Sequence, residues 1–290
     1  MIGVSHNPLH RTFAGLFVLL WSTGFIGAKL GLPYADPATF LLIRFLLVSA
    51  LLVPLCWALG ATWPAPRDVW KMAVSGVLLQ AGYLGGVFAS LHAGMPAGAS
   101  ALVTGLQPVF TAVLGAAFLK ERTGPRQWAG LAIGLAGVLL VVGDRIIVEG
   151  LGLDAVLLSV LALASITLGT VWQKRHGAAV DLRTGAAIQF LAAALVMAPF
   201  AFLLETTEVR WTGEFVFALA WLVLVLSLGA IFLLLYLIRQ GAATKVASLF
   251  YLVPPTTALI AWPLFGETYT LAAAAGMALG MLAVWMVTRQ

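Results

Sequence analysis

The chain has 290 residues, 62% of them hydrophobic and only 9% charged, with a mean hydropathy of +1.03. That composition excludes a soluble globular domain. The formal net charge of +5 is spread along the chain in a way that points to a membrane and not to a nucleic-acid partner.

A hydrocarbon core of roughly 30 Å takes about 20 helical residues to cross. Ten apolar stretches reach about that length, at about 12–31, 37–59, 69–91, 97–119, 126–143, 151–174, 182–204, 212–238, 243–265 and 271–288. They are expected to be helices, because a backbone in lipid must satisfy its own hydrogen bonds. The first is too long for a signal-peptide core and lacks a small-x-small site, so it is expected to be retained. The connection Asp144–Gly150 is short, which makes the chain one compact body. Cys56 is the single cysteine and lies in a span, so it forms no intramolecular disulfide.

In chain order, the first span carries Trp21 and ends near Lys29, an expected interfacial anchor. Arg44 lies seven residues past Pro37, about 10 Å into the second span at 1.5 Å per residue. It is the strongest candidate for an intramembrane charge; it either meets a substrate carboxylate or snorkels to the surface or a carbonyl. Gln80 and Tyr83 are three apart in the third span and are expected to share a helix face. The fourth carries Ser100, Thr104, Gln107, Thr111 and the interior proline Pro108, and is followed by Glu121. An interior proline removes a backbone hydrogen bond and bends or opens a helix, so Pro108 is a hinge candidate. The second half offers Trp172, Gln173, Lys174, Gln189, Ser248, Tyr251 and Thr257, with Pro254 as its hinge and Glu267 after the ninth span. Trp21, Tyr83, Trp172 and Tyr251 are candidates for an amphipathic wall; ordinary packing is the alternative. Glu121 and Glu267 read either as gate or proton sites or as an ion pair or helix cap at a tight turn.

The two halves repeat each other. Ile43-Arg44-Phe45-Leu46 matches Ile188-Gln189-Phe190-Leu191, and Lys29 matches Lys174, at an offset of 145. Pro108, Glu121, Gly130 and Gly134 match Pro254, Glu267, Gly276 and Gly280 at an offset of 146. The units are residues 1–146 and 147–290, with five spans each. Five is odd, so the second copy is expected upside down, with a site where the repeats meet. The glycine pairs are expected to bring helices close together within one chain. Sorting Lys and Arg by alternating sides places 12 on the N-terminal side and 4 on the other, so both termini are expected in the cytoplasm.

The motifs Leu106-Gln107-Pro108-Val109…Leu119-Lys120-Glu121 and Leu252-Val253-Pro254…Phe265-Gly266-Glu267 occur once per half. With Leu20-Trp21-Ser22-Thr23-Gly24-Phe25…Lys29 and the Arg44 position, they resemble the drug/metabolite transporter superfamily. The likeness covers nearly the whole chain and is narrower to the ten-span, double-EamA-domain branch, which includes exporters of aromatic amino acids. Gln189 standing opposite Arg44 makes any role of that arginine asymmetric. The resemblance implies an all-α membrane protein of ten transmembrane helices, two inverted five-helix repeats around a central cavity. It also implies alternating access and export of metabolites without ATP, and the short loops and composition suit a bacterial inner membrane.

The expected function is therefore a secondary transporter exporting small metabolites, amino acids including aromatic or large apolar ones. A multidrug or lipid-linked metabolite exporter of the same fold is the alternative. An intramembrane enzyme would need an acid-rich metal site or a histidine beside an acid, and His6, His10, His92 and His176 fall in loops or at span ends. No GxxxxGK[ST] loop is present. No metal or cofactor is expected. The expected partners are a small-molecule substrate and membrane lipid, with a monomer or homodimer as the assembly.

Overall fold

The computed structural model describes residues 8–119, 124–177, 180–229 and 252–288. Among these, the regular structure is helical, with one isolated antiparallel bridge between Ala35 and Val209 in the connections. Helix α1 spans Pro8–Gly31, α2 Pro37–Ala58 and α3 Pro66–Gly76. A π-helical segment, π1 (Val77–Gly82), joins α3 to α4 (Tyr83–His92). There follow α5 (Ala97–Gly105), α6 (Gln107–Leu119), α7 (Pro125–Glu149), α8 (Leu153–His176) and α9 (Leu182–Leu204). Helix α10 (Gly213–Ala220) runs into a second π segment, π2 (Trp221–Leu228); α11 (Val253–Phe265) and α12 (Leu271–Thr288) complete the described helices.

Six helical stretches are long and apolar enough to cross a membrane by length and composition: Pro37–Ala58, Pro66–His92, Ala97–Leu114, Pro125–Ile147, Leu153–His176 and Leu182–Leu204. Four shorter apolar helices, Val18–Gly31, Gly213–Leu228, Val253–Phe265 and Leu271–Val287, overlap the remaining expected spans.

The helix ends follow from local chemistry. Proline opens α2, α3 and α7, where a missing N–H costs nothing. Gly150 and Gly266 end α7 and α11 in the left-handed conformation that a side chain resists. Two expectations are corrected here. The Asp144–Gly150 connection is helical as far as Glu149, because its Ile-Ile-Val run continues α7 to a glycine cap. Lys29 is not a free interfacial anchor: it is held by Glu267 at 2.5 Å.

Both hinge candidates stand where a helix begins. Between α5 and α6 the backbone breaks at Leu106, and Pro108 is the second residue of α6. Pro254 is likewise the second residue of α11.

Packing joins the two sequence repeats throughout. Helix α2 packs on α9, and α7 on α12. Helix α8 packs on α4, π1 and α6, while α1 packs on α10, π2 and α11. The sequence offset exchanges α2 with α9, α7 with α12 and α8 with α1, and it carries π1 and α6 onto π2 and α11. The residue pair Phe45 and Phe190, equivalent positions in the two repeats, touch each other with ring centroids 5.8 Å apart. On the α7–α12 seam, a Cβ built on Gly137 would lie 2.6 Å from the Gly276 carbonyl, so only glycine permits this backbone approach. A second aromatic knot, Phe40 against Phe88 and Phe215 at 5.3 and 5.0 Å, fills the space between α2, α4 and α10.

Candidate functional site

Arg44 leaves α2 on its buried face, 6% exposed, between neighbours from both repeats. Its Nη2 donates to Ser227 Oγ at 3.1 Å, and Ser227 donates in turn to the Leu222 carbonyl at 2.9 Å. That second bond reaches back five residues, the reach that a π turn provides. Among the described residues Arg44 Nε meets no hydrogen-bond partner. Tyr83, the first residue after π1, is buried with its hydroxyl beside Trp21 and within the field of Arg44. The two π segments occupy equivalent positions of the repeats, residues 77–82 and 221–228, and each delivers one member of this cluster. Gln80 lies half-buried within π1, so its three-residue spacing to Tyr83 crosses a π-to-α junction instead of running along one α-helical face.

A second polar group is neutral. Gln107 donates from the start of α6 to Thr170 on α8 at 3.0 Å and lies 3.5 Å from Thr111. Gln189, at the repeat position of Arg44, approaches Gln173 at 3.5 Å. Ser22 reaches across the repeats to the Val253 carbonyl at 3.3 Å. Ser100 is fully buried on α5, and among the described residues its hydroxyl has no partner. Trp172 sits apart from Trp21 and Tyr83: its indole donates to the Lys71 carbonyl at 2.9 Å and packs on Trp70 and His176. Ser248, Tyr251 and Glu121 lie outside the described residues.

A third cluster closes one end of the bundle. Glu267 follows α11 and is 8% exposed. It pairs with Lys29 of α1 at 2.5 Å and accepts from the Ala97 backbone N–H at the start of α5 at 2.7 Å and from the Tyr269 hydroxyl at 2.5 Å. One carboxylate thus caps a helix and neutralises a lysine of the other repeat, the ion-pair and cap reading of this residue. Burial pushes the Glu267 carboxyl up, but the bonds from Lys29, Tyr269 and Ala97 outweigh it and hold the group below its ordinary value. Tyr269 is pushed up, by burial first and by Glu267 second. Arg145 stacks over the Tyr269 ring at 4.8 Å and donates to the Thr268 carbonyl. A comparable cap lies nearby: Glu205 accepts from the Ala38 and Thr39 backbone N–H groups at 2.8 and 2.7 Å.

Ser227 and Thr170 were not distinguishable in the sequence. Each is one hydroxyl in an apolar run, and only the π turn or a neighbouring helix gives it a partner. Among the described residues no group of three or more His, Cys, Asp or Glu side chains could hold a metal ion.

Two stretches, residues 12–143 and 153–289, match the EamA-like transporter family. An uncharacterized inner membrane transporter of Escherichia coli (strain K12), YedA, is 29% identical over 97% of this chain and 90% of its own length. A probable terminal-alkyne amino-acid exporter of Streptantibioticus cattleyicolor is 27% identical over 95% of this chain and 92% of its own. A solved crystal structure shares the fold with a TM-score of 0.66 at 22% identity, covering 95% of this chain and 94% of that one. The chain is a membrane transporter and belongs to the EamA-like transporter family.

Proposed function

We infer that the protein is a secondary transporter that exports small metabolites, amino acids including aromatic or large apolar ones, by alternating access without ATP. In this reading ten spans form two inverted five-helix repeats in a bacterial inner membrane, with both termini in the cytoplasm. The observation that carries it is the contact between Phe45 and Phe190. Equivalent residues of two repeats touch only near the axis that relates those repeats, and substrate sites of inverted-repeat transporters lie at that interface. Arg44 and Gln189 each precede one of these phenylalanines, so both polar positions flank the axis. The amino-acid class is supported by the Streptantibioticus relative, described as an amino-acid exporter. Export in place of import rests on the same relative.

The proposed cavity is lined by Trp21, Arg44, Gln80, Tyr83, Ser100, Gln107, Gln189, Ser248 and Tyr251, with Pro108 and Pro254 as hinges. Glu267 holds one face shut, and Glu121 is its counterpart in the sequence repeat. The test is uptake of radiolabelled amino acids by proteoliposomes holding the purified protein, with and without an imposed pH gradient. Saturable uptake blocked by large unlabelled amino acids is expected. Uptake no greater than that of empty liposomes across the panel would refute the amino-acid reading.

A further inference from the structure

Arg44 is a buried charge that the fold leaves unbalanced. Its described neighbours, Ser227 and Tyr83, are neutral, and one of its donors, Nε, meets no acceptor. A guanidinium taken out of water suffers a large desolvation penalty unless a negative charge and further acceptors replace the lost hydration. Among the described residues the chain does not supply that charge: their Asp and Glu side chains lie in connections or within about two turns of a helix end, none in the middle of a span. The fully paired Glu267 shows that this fold does match charges when both are its own.

We propose that Arg44, Ser227 and Tyr83 form a recognition site for a carboxylate carried by the transported metabolite. The metabolite's anion supplies the counter-charge that the fold omits. This deepens the exporter reading and rests on it. The cluster offers one cation, which suits a singly charged carboxylate better than a doubly charged phosphate. A guanidinium edge binds a carboxylate through two parallel N–H bonds, and Nε is one of the two donors of the side-on edge. Nη2 on the same edge keeps a second hydrogen for the ligand beyond the one given to Ser227. Ser227 holds the guanidinium plane, and its own proton is committed to Leu222 by the π turn, so it stays an acceptor for Arg44.

The site therefore reads the acid end of the substrate. It contains no carboxylate for the amino end, which is left the aromatic faces of Trp21 and Tyr83. Acylating the amine should be tolerated, and converting the acid to an amide should not.

The experiment is the thermal shift of the purified, detergent-solubilised full chain with phenylalanine, leucine and threonine, each as the free acid, the N-acetyl acid and the carboxamide. Both acid forms are expected to raise the Tm of the wild type, and the amides to leave it unchanged. Arg44→Gln should weaken acid binding about 10- to 100-fold, the range of a lost charge-assisted hydrogen-bond pair, with an unliganded Tm no lower than wild type. Ser227→Ala, which keeps the charge and loses its brace, should weaken binding by a smaller factor. Amides that bind as well as acids, an Arg44→Gln protein that binds acids normally, or no shift with any acid would each overturn the site. Transport without acid–amide discrimination would sink this site and spare the exporter reading. Acid-specific binding without transport would do the reverse.

Discussion

Two buried charges in this molecule are treated in opposite ways. Glu267 is surrounded by a lysine, a helix N-terminus and a phenol, so the cost of burying it is met several times over. Arg44 is buried as deeply, with one hydroxyl bonded to it and a donor left idle. The difference is one of location. Glu267 stands where α1, α5 and the α11–α12 connection converge at an end of the bundle, and Arg44 stands inside it, beside the contact between equivalent residues of the repeats. A static bundle would gain from matching both. A fold that satisfies the first and starves the second has assigned one to holding helices together and the other to something that comes and goes.

The sharpest way to break that contrast is Glu267→Ala. It strands Lys29 and the Ala97 amide together, and losing one member of a buried pair costs about 3–5 kcal/mol. The Tm in detergent should show the largest fall of any variant here; a Tm within error of wild type would mean the cluster holds nothing. Acid probes the same group without mutation. The folded-state value of Glu267 lies below its ordinary 4.5, so its stabilisation is fully present above about pH 4.5 and is lost as pH falls through the lower folded value. Thermal melts between pH 6 and 3 should drop more steeply for the wild type than for Glu267→Gln, and parallel curves would contradict this.

Tyr269→Phe removes one hydrogen bond to a charged acceptor, worth about 1.5–3 kcal/mol when buried, and should lower the Tm less than Glu267→Ala does. The smallest effect has the opposite sign. Arg44→Met exchanges an unmatched cation for an apolar chain of similar length, so apo stability should hold or rise by about 1 kcal/mol. A clear loss of stability would show that Arg44 is structural after all.

Much of this was open to reading in the sequence because lipid leaves a chain few choices. Helix length and the alternation of basic connections follow from the bilayer, and a repeated Pro–Glu–Gly spacing survives as plain text. The isolation of Arg44 was also legible, since a span without any acid cannot pair an arginine with one of its own. The partner of Glu267 was half legible: side-sorting puts Lys29 and Glu267 on one face, but 238 residues separate them and nothing local says they touch. The π segments were not legible. Val77–Gly82 and Trp221–Leu228 are apolar runs with no marker for a widened turn, and the strain that produces one comes from neighbouring helices. Ser227 stayed hidden for that reason, and Trp172 was grouped with Trp21 because residue type says nothing of depth along a helix.

The paired π turns have a consequence for how such a protein can change. A π turn is an α-helix carrying a surplus residue, so excising one residue from Val77–Gly82 returns the segment to ordinary winding without breaking the span. In an ordinary α-helix such a cut turns everything beyond it by about 100°, the angle between successive side chains. Here the widened turn already holds the surplus residue, so Tyr83 would go on facing Arg44. A one-residue deletion, ruinous in most membrane helices, is here absorbed by the turn itself.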